Sequence, residues 1–459
     1  MRSSAGNSYF QNSFVNKLFA PVDNSPLVIF RILFGLILFY HCLDFMLSGD
    51  LYENFIQPPF TFSYIGFEFL QPLPGWGMYA YFSLMALLAL MIMTGTWYRF
   101  SMIGFTLLWT CIYLMQKSNY NNHYYLILLL CSLMCIMPAN RYCSIDVRTK
   151  AIPENISCPR WVFLVFIVQV AIIYFYAGIS KLTGDWLSGK FIALQFARMT
   201  THRVVGPVYA SRFFQLAVCY GGLFFDLLIV PLLLWKRTRR YAFLFYCGFH
   251  LFNSYSFHIG IFPYLSIAMA VFFLDPEKIR RIFFSNKTAL SDAGENPVKR
   301  TFPKQALLYV LAVYFVFQVV LPTRSWFFPG NVFWTEEGYR MSWKMMLRAK
   351  TGKIQFKVLD GTTGEIWRID PAEKFVHSHL TWLAICPDIA WQYAQRLKKE
   401  FNGKGYPNVK VYAIDSVSLN KAPAQLLIDT TVDLGSVKWQ SFRHSEWILP
   451  YKISNSTNR

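Results

Sequence analysis

Up to about residue 321 the chain alternates long apolar runs with short polar or basic segments. The runs fall at about 27–47, 77–95, 101–115, 124–137, 162–179, 213–235, 241–255, 258–274 and 305–321. A helix needs roughly 20 apolar residues to cross a hydrocarbon core about 30 Å thick, so the longer runs predict membrane spans and the shorter ones need a second argument. Loop charge supplies it. With the N-terminus inside, the connection 48–76 lies outside; it carries Asp50, Glu53 and Glu68 and no Lys or Arg. Arg99, then Arg141, Arg148 and Lys150, then the Lys236-Arg237-Thr238-Arg239-Arg240 cluster, then Lys278, Arg280, Arg281 and Lys287 all fall inside, where cytoplasmic loops carry their excess of positive charge. The pattern predicts an α-helical polytopic membrane domain of about nine spans over residues 26–322. Before it lies an N-terminal cytoplasmic segment, 1–25, without a cleavable signal pattern. The seventh and eighth runs also admit a re-entrant hairpin.

From about Thr323 the period changes. Ile354, Phe356 and Val358 alternate with polar residues, and Asp360-Gly361-Thr362-Thr363-Gly364 forms a turn before Glu365-Ile366-Trp367-Arg368, which predicts a hairpin. Pro387 and Asp388 suit a helix start, with Ile389, Tyr393, Leu397 and Phe401 on one face and Gly403 and Gly405 at its end. Further strands are predicted at 409–415 and 425–432. The expected whole is an α+β extracytoplasmic domain over residues 323–459, on the periplasmic or lumenal side. A bacterial inner membrane fits better than the endoplasmic reticulum.

Composition agrees with lipid as the solvent: the chain is 54% hydrophobic and only 15% charged, more apolar surface than one soluble core buries. The net charge of +19 raises nucleic acid as a partner. The basic residues, however, gather in short clusters between apolar runs, which excludes nucleic acid in favour of membrane lipid. Cys131 and Cys135 are four apart, but no Cys or His partner with metal-ligand spacing accompanies them, so no metal is expected. Cys386 is the single cysteine of the C-terminal domain, which therefore holds no internal disulfide. The sequence carries no signal of oligomeric state.

Polar residues at the outer ends of spans carry the candidate chemistry, because ionisable groups at membrane depth are costly. Ser118-Asn119-Tyr120-Asn121-Asn122-His123-Tyr124-Tyr125 is crowded with donors and acceptors; an interfacial turn with a Tyr belt is the bland alternative. Tyr176-Ala177-Gly178-Ile179-Ser180-Lys181-Leu182 ends the fifth span on a Lys, which a snorkelling side chain would also explain. In the seventh span His250 and Asn253 are three apart on one helix face; a His satisfied by a backbone carbonyl is the alternative there. Together His123, Lys181 and Asn253 predict a polar pocket near the outer boundary, roofed by the soluble domain and walled by apolar residues fit for a lipid-soluble ligand.

The same segments resemble the vitamin K-dependent γ-glutamyl carboxylase family, with its HTTM-type membrane domain, in the form of a short bacterial-type homologue. The resemblance lies in Asn121-Asn122-His123, in Ala177 to Leu182 with Asp185-Trp186, and in Phe249-His250 with Asn253-Ser254. It includes Gln71-Pro72-Leu73-Pro74 and Tyr220-Gly221-Gly222-Leu223 with Asp226, and continues through Tyr339, Ser342-Trp343, Met345-Met346, Thr363-Gly364-Glu365 and Val417-Ser418-Leu419-Asn420. It implies a coupled reaction: a reduced vitamin K hydroquinone (phylloquinol or menaquinol) is oxidised by O2 to the epoxide, and CO2 is added to Glu of a protein or peptide substrate. By resemblance Lys181 is the base toward the hydroquinone and Asn122 and His123 act beside it. Asn121, His250 and Asn253 complete the quinone site, and Tyr339, Ser342, Trp343 and Arg348 lie near the Glu substrate. A Lys in an apolar pocket has its charged form disfavoured, which suits a base. Arg348 stands where the animal enzyme has a His, and the animal cysteine pair has no evident counterpart. The alternatives are a quinol epoxidase or oxidase of the same family that does not carboxylate, and a non-catalytic quinone- or lipid-binding protein.

Overall fold

The computed structural model describes residues 14–290 and 303–452; the outermost ends of the expected segments 1–25 and 323–459 lie outside the described residues. Each apolar run is helical: α1 (Ser25–Leu47), α2 (Gly77–Thr94), α3 (Tyr98–Met115), α4 (Asn122–Met134), α5 (Trp161–Ser180), α6 (Arg212–Leu234), α7 (Arg239–Phe257), α8 (Phe262–Met269) and α9 (Lys304–Thr323). Six of the nine, α1, α2, α3, α5, α6 and α9, are long and apolar enough to cross a membrane. By length and apolarity alone, about six of the nine expected spans qualify as crossings. α4 has 13 residues and α8 only 8, with one further 3-10 turn, short of the roughly 20 that a full crossing takes. α7 has 19 residues but opens on Arg239-Arg240 and carries His250, Asn253, Ser254 and Ser256, which dilute its hydropathy.

Buried charge in the helical region finds protein partners at Arg31. Arg31 of α1 is almost fully buried and donates to the carbonyls of Ala139 and Cys143, at 2.9 and 2.6 Å, where water would otherwise serve. Gly95, at φ 68°, ends α2 in the left-handed cap that glycine adopts without strain. A Cβ there would fall 2.5 Å from that of Ser144. A short antiparallel pair, β1 (Pro21–Asp23) with β2 (Ser157–Pro159), ties the segment before α1 to the segment before α5.

The C-terminal region has its own core around an antiparallel sheet of order β4-β3-β5: β3 (Lys350–Asp360), β4 (Ile366–Ile369) and β5 (Val409–Leu419). Buried residues face each other across the register, Phe356 opposite Ala413 and Val358 opposite Val411, as period-2 alternation requires. α10 (His377–Ile385) and α11 (Pro387–Gly403) pack on the sheet, and α11 buries the expected Ile389, Tyr393, Leu397 and Phe401. The strand expected at 425–432 is absent and only isolated bridges occur there. The backbone N–H groups of Leu427 and Ile428 go instead to the buried Asp415 carboxylate, at 3.0 and 3.4 Å, so a side chain takes the donors a ladder would have used. Helix α10 carried no signal that marked it in advance.

A buried ion cluster docks this region onto the helices. Asp388, in the first turn of α11, meets Lys117 of the α3–α4 connection at 2.6 Å and Arg340 at 2.8 Å. Burial alone would push the Asp388 carboxyl up, but Arg340 and Lys117 overrule it and hold it below the usual carboxylate range. Around the cluster, Phe60 and Phe62 pack on Phe375 and Tyr393, and Gln392 donates to the carbonyl of Ser63 at 3.0 Å. Removing one partner of a buried ion pair strands the other, at a cost of about 3–5 kcal/mol, whereas exposed pairs contribute about 0–1 kcal/mol. Asp388→Ala is therefore expected to lower the thermal unfolding midpoint sharply, and Glu400→Ala, which breaks the exposed pairs with Lys374 and Lys404, hardly at all. Equal midpoints for the two variants would refute the docking role.

Candidate functional site

Between the helix ends and the C-terminal region lies a cavity of about 580 Å³, in the usual range for a small-molecule site. Its lower wall comes from the start of α4, the end of α5, and α6 and α7; its upper wall comes from residues 339–348 and Trp382. Lys181, His123, Asn122, Asn121, His250, Asn253, Tyr339 and Arg348 all line it, so residues spread over more than two hundred positions meet in one space. Ser342 and Trp343 do not.

Lys181 follows directly on the last turn of α5. It does not reach out to solvent as a snorkelling Lys would: it is only 8% exposed, its Nζ is ion-paired with Asp226 Oδ2 on α6, and it lies 5.1 Å over the Trp186 ring. Gly178 makes the pair possible. A Cβ there would stand 2.6 Å from Leu227 Cδ2 and 3.4 Å from Asp226 Cβ, so any larger residue would have to displace the Leu227 side chain beside the pair. Beside the apolar surroundings expected from the sequence, Lys181 thus has a carboxylate as its immediate neighbour. Asp226 was missed as a site residue, although a carboxylate midway along an apolar run is itself a signal of function.

His250 hydrogen-bonds a side chain, not the backbone carbonyl considered from sequence. Its Nε2 is 2.7 Å from the hydroxyl of Tyr174, which donates to Tyr246, which in turn donates to the Ser266 carbonyl at 3.1 Å. Those directions leave Nε2–H as the donor to Tyr174. Nδ1 is then a lone-pair acceptor, and it is buried without a protein partner. His123 packs edge-on against Tyr124. Asn122 accepts from the Tyr120 hydroxyl at 2.9 Å, and that hydroxyl accepts from the backbone N–H of Met341 at 2.6 Å, linking the start of α4 to the C-terminal region.

The upper wall is a strained loop. Glu336, Met341, Trp343 and Met346 all have φ between 53° and 63°, a region costly for side chains other than glycine and concentrated at functional sites. Tyr339 lies under the Arg348 guanidinium, 4.5 Å from ring centroid to Cζ. Arg348 donates to Glu336 at 2.8 Å, while its Nε is buried without a partner. Burial works against the Arg348 charge, but Glu336 overcomes it and holds the guanidinium protonated. Lys350, 3.5 Å from the same carboxylate, is drawn down by burial to about 8. Ser342 donates to the Tyr339 carbonyl and braces the loop. Trp343 is fully buried among helical-region residues, 5.2 Å from the Tyr125 ring, and acts as a plug joining the two regions.

Residues 19–277 match the HTTM domain and residues 303–454 match the lumenal domain of vitamin K-dependent gamma-carboxylase. No solved structure matches the chain. The close approach at Gly178 yields a matched test on α5 and α6. Overpacking costs about 1–3 kcal/mol, so Gly178→Ala is expected to lower the unfolding midpoint. Gly221→Ala, where an added Cβ meets nothing within 4 Å, should leave it unchanged or raise it by up to about 1 kcal/mol of stability. A Gly178→Ala variant as stable as Gly221→Ala would show that the Leu227 side chain turns aside without cost.

Proposed function

The chain belongs to the vitamin K-dependent γ-carboxylase family, and from that premise we propose that it is a membrane enzyme that oxidises reduced vitamin K with O2 and adds CO2 to Glu of a protein or peptide. One observation carries the reading: a single cavity has a Lys–carboxylate pair and an acceptor imidazole on its helical wall, and a guanidinium on its lumenal-domain wall. A hydroquinone needs acceptors for its hydroxyls and apolar walls for its rings and tail; a Glu side chain needs a cation. Both are present.

The residues fit a naphthohydroquinone. His250 Nδ1, buried and unpartnered, suits a hydroxyl donor, and Phe249, Phe257 and Phe262 supply aromatic wall to the same cavity. Lys181 would take one hydroxyl proton, with His123, Asn122, Asn121 and Asn253 orienting the ring. When bound, reduced vitamin K supplies the electrons that reduce O2 and the strong base that removes the Glu γ-proton, leaving as its epoxide with water as the second product. Arg348 and Tyr339 would hold the Glu carboxylate, and CO2 joins the resulting carbanion. Ser342 and Trp343 serve this reaction through loop geometry.

A second reading draws on one observation: Glu336 already occupies one arm of Arg348, so a quinol oxidase or epoxidase without carboxylation would need no change in the site. We further propose an N-in topology in which all nine helices contribute to the membrane domain and the C-terminal domain lies outside, in accord with the alternation of loop charge.

Purified wild type is expected to convert a reduced naphthoquinone to its epoxide and to incorporate labelled CO2 into a Glu-containing peptide. Lys181→Ala should lower quinol turnover by about 10²–10⁴-fold, the usual contribution of a general base, with part restored by an added small amine. Turnover with no labelled CO2 would replace the first reading by the second; no turnover at all would end both. For topology, cysteines placed at Arg239 and Lys404 should label from opposite faces of sealed vesicles. Labelling of both from one face refutes the arrangement.

A further inference from the structure

The ion pair at Lys181 poses a chemical problem for the proposed reaction. A base must present a lone pair, yet Lys181 stands against a carboxylate that favours its ammonium form. Both side chains are nearly buried, 10% and 5% exposed, and among the described residues Asp226 has no other cationic partner. Separated charges in such surroundings are costly to keep, and one proton transfer inside the pair removes both.

We propose that Asp226 is the acceptor of the Lys181 proton, so that the pair, and not the lysine alone, is the basic unit of the site. The inference rests on the assignment of Lys181 as the base. In the transfer an N–H bond of the ammonium breaks and an O–H bond forms on Oδ2, which leaves a neutral amine beside a neutral carboxylic acid. The amine lone pair then takes a hydroxyl proton from the bound ligand. Two protons are now held, one on each residue, and loss of one to water resets the pair. Asp226 acts through Lys181, as a positioning residue that also stores its proton.

The surroundings allow the exchange. Tyr174 on α5 and Tyr246 on α7 face Asp226, and Cys219 on α6 faces Lys181; protonated phenols and thiols add no charge to the pair. His250 is engaged through Nε2 in its hydrogen-bonded chain, and Arg348 across the cavity is matched by Glu336. Gly178 and the Trp186 ring hold the two groups in contact.

The test reads the free amine directly in protein without quinol. A small amine-acylating reagent reacts only with unprotonated nitrogen, and peptide mass spectrometry reports Lys181 against the exposed Lys404 as an internal standard. If Asp226 takes the proton, one proton is shared at every pH from about 6 to 8. The Lys181 rate is then flat, while the Lys404 rate rises about tenfold per unit, as a lysine losing its proton to water must. In Asp226→Asn both rates should rise in parallel, and Asp226→Glu should restore the flat profile. A wild-type Lys181 rate that climbs with Lys404 overturns the proposal, whatever the variants do. Quinol turnover is followed in the same preparations: Asp226→Asn should lose at least tenfold at pH 7 and recover toward alkaline pH, and undiminished turnover at pH 7 also overturns the proposal. A flat profile in a wild type that turns over no quinol would sustain the pair and refute the function instead.

Discussion

Asp388 is buried between two cations that come from different halves of the chain, Lys117 before α4 and Arg340 after α9. A buried carboxylate tolerates neither partner's absence, so the lumenal domain has one register on the helix ends, and everything above the cavity follows from it. Because α11 is anchored there and β3 begins at Lys350, the segment between Glu336 and Ala349 must span a fixed gap. It does so with four non-glycine residues at positive φ. The strain is repaid where the loop meets the helices: Trp343 plugs the bundle beside Tyr125, and the Met341 N–H reaches Tyr120. One consequence of that path is that Tyr339 and Arg348 face the cavity while Ser342 and Trp343 do not.

The cavity is organised by two matched ion pairs on opposite walls, Lys181 with Asp226 and Arg348 with Glu336. Each pair sets a cationic side chain against a carboxylate in dry surroundings, and the Arg348 guanidinium keeps one nitrogen with no protein partner. His250 adds an acceptor whose tautomer is set by the Tyr174–Tyr246–Ser266 chain behind it. Under the proposed function, proton removal would fall to one wall and carboxylate recognition to the other. A second link between the walls runs from Asp185, beside Trp186, to Asn420, whose side chain also receives the Ala349 N–H next to Arg348.

Hydrophobic period and loop charge were enough to place the nine helices, the β3–β4 hairpin and the face of α11, because these depend on neighbours within a few residues. The same local signals misjudged 425–432, where Asp415 claims the backbone donors. For the site, unusual residues at span ends marked His123, Lys181, His250 and Asn253, and the family resemblance added Tyr339 and Arg348. What the chain order concealed is pairing across distance. Asp226 is 45 residues from Lys181, and only the packing of α5 on α6 at Gly178 brings them together. That Trp343 is a plug was not legible, because its direction depends on a left-handed backbone conformation. Local periodicity encodes which faces must be buried; which charge neutralises which is decided only when the buried faces meet, because a counterion is defined by distance in space and not by position along the chain.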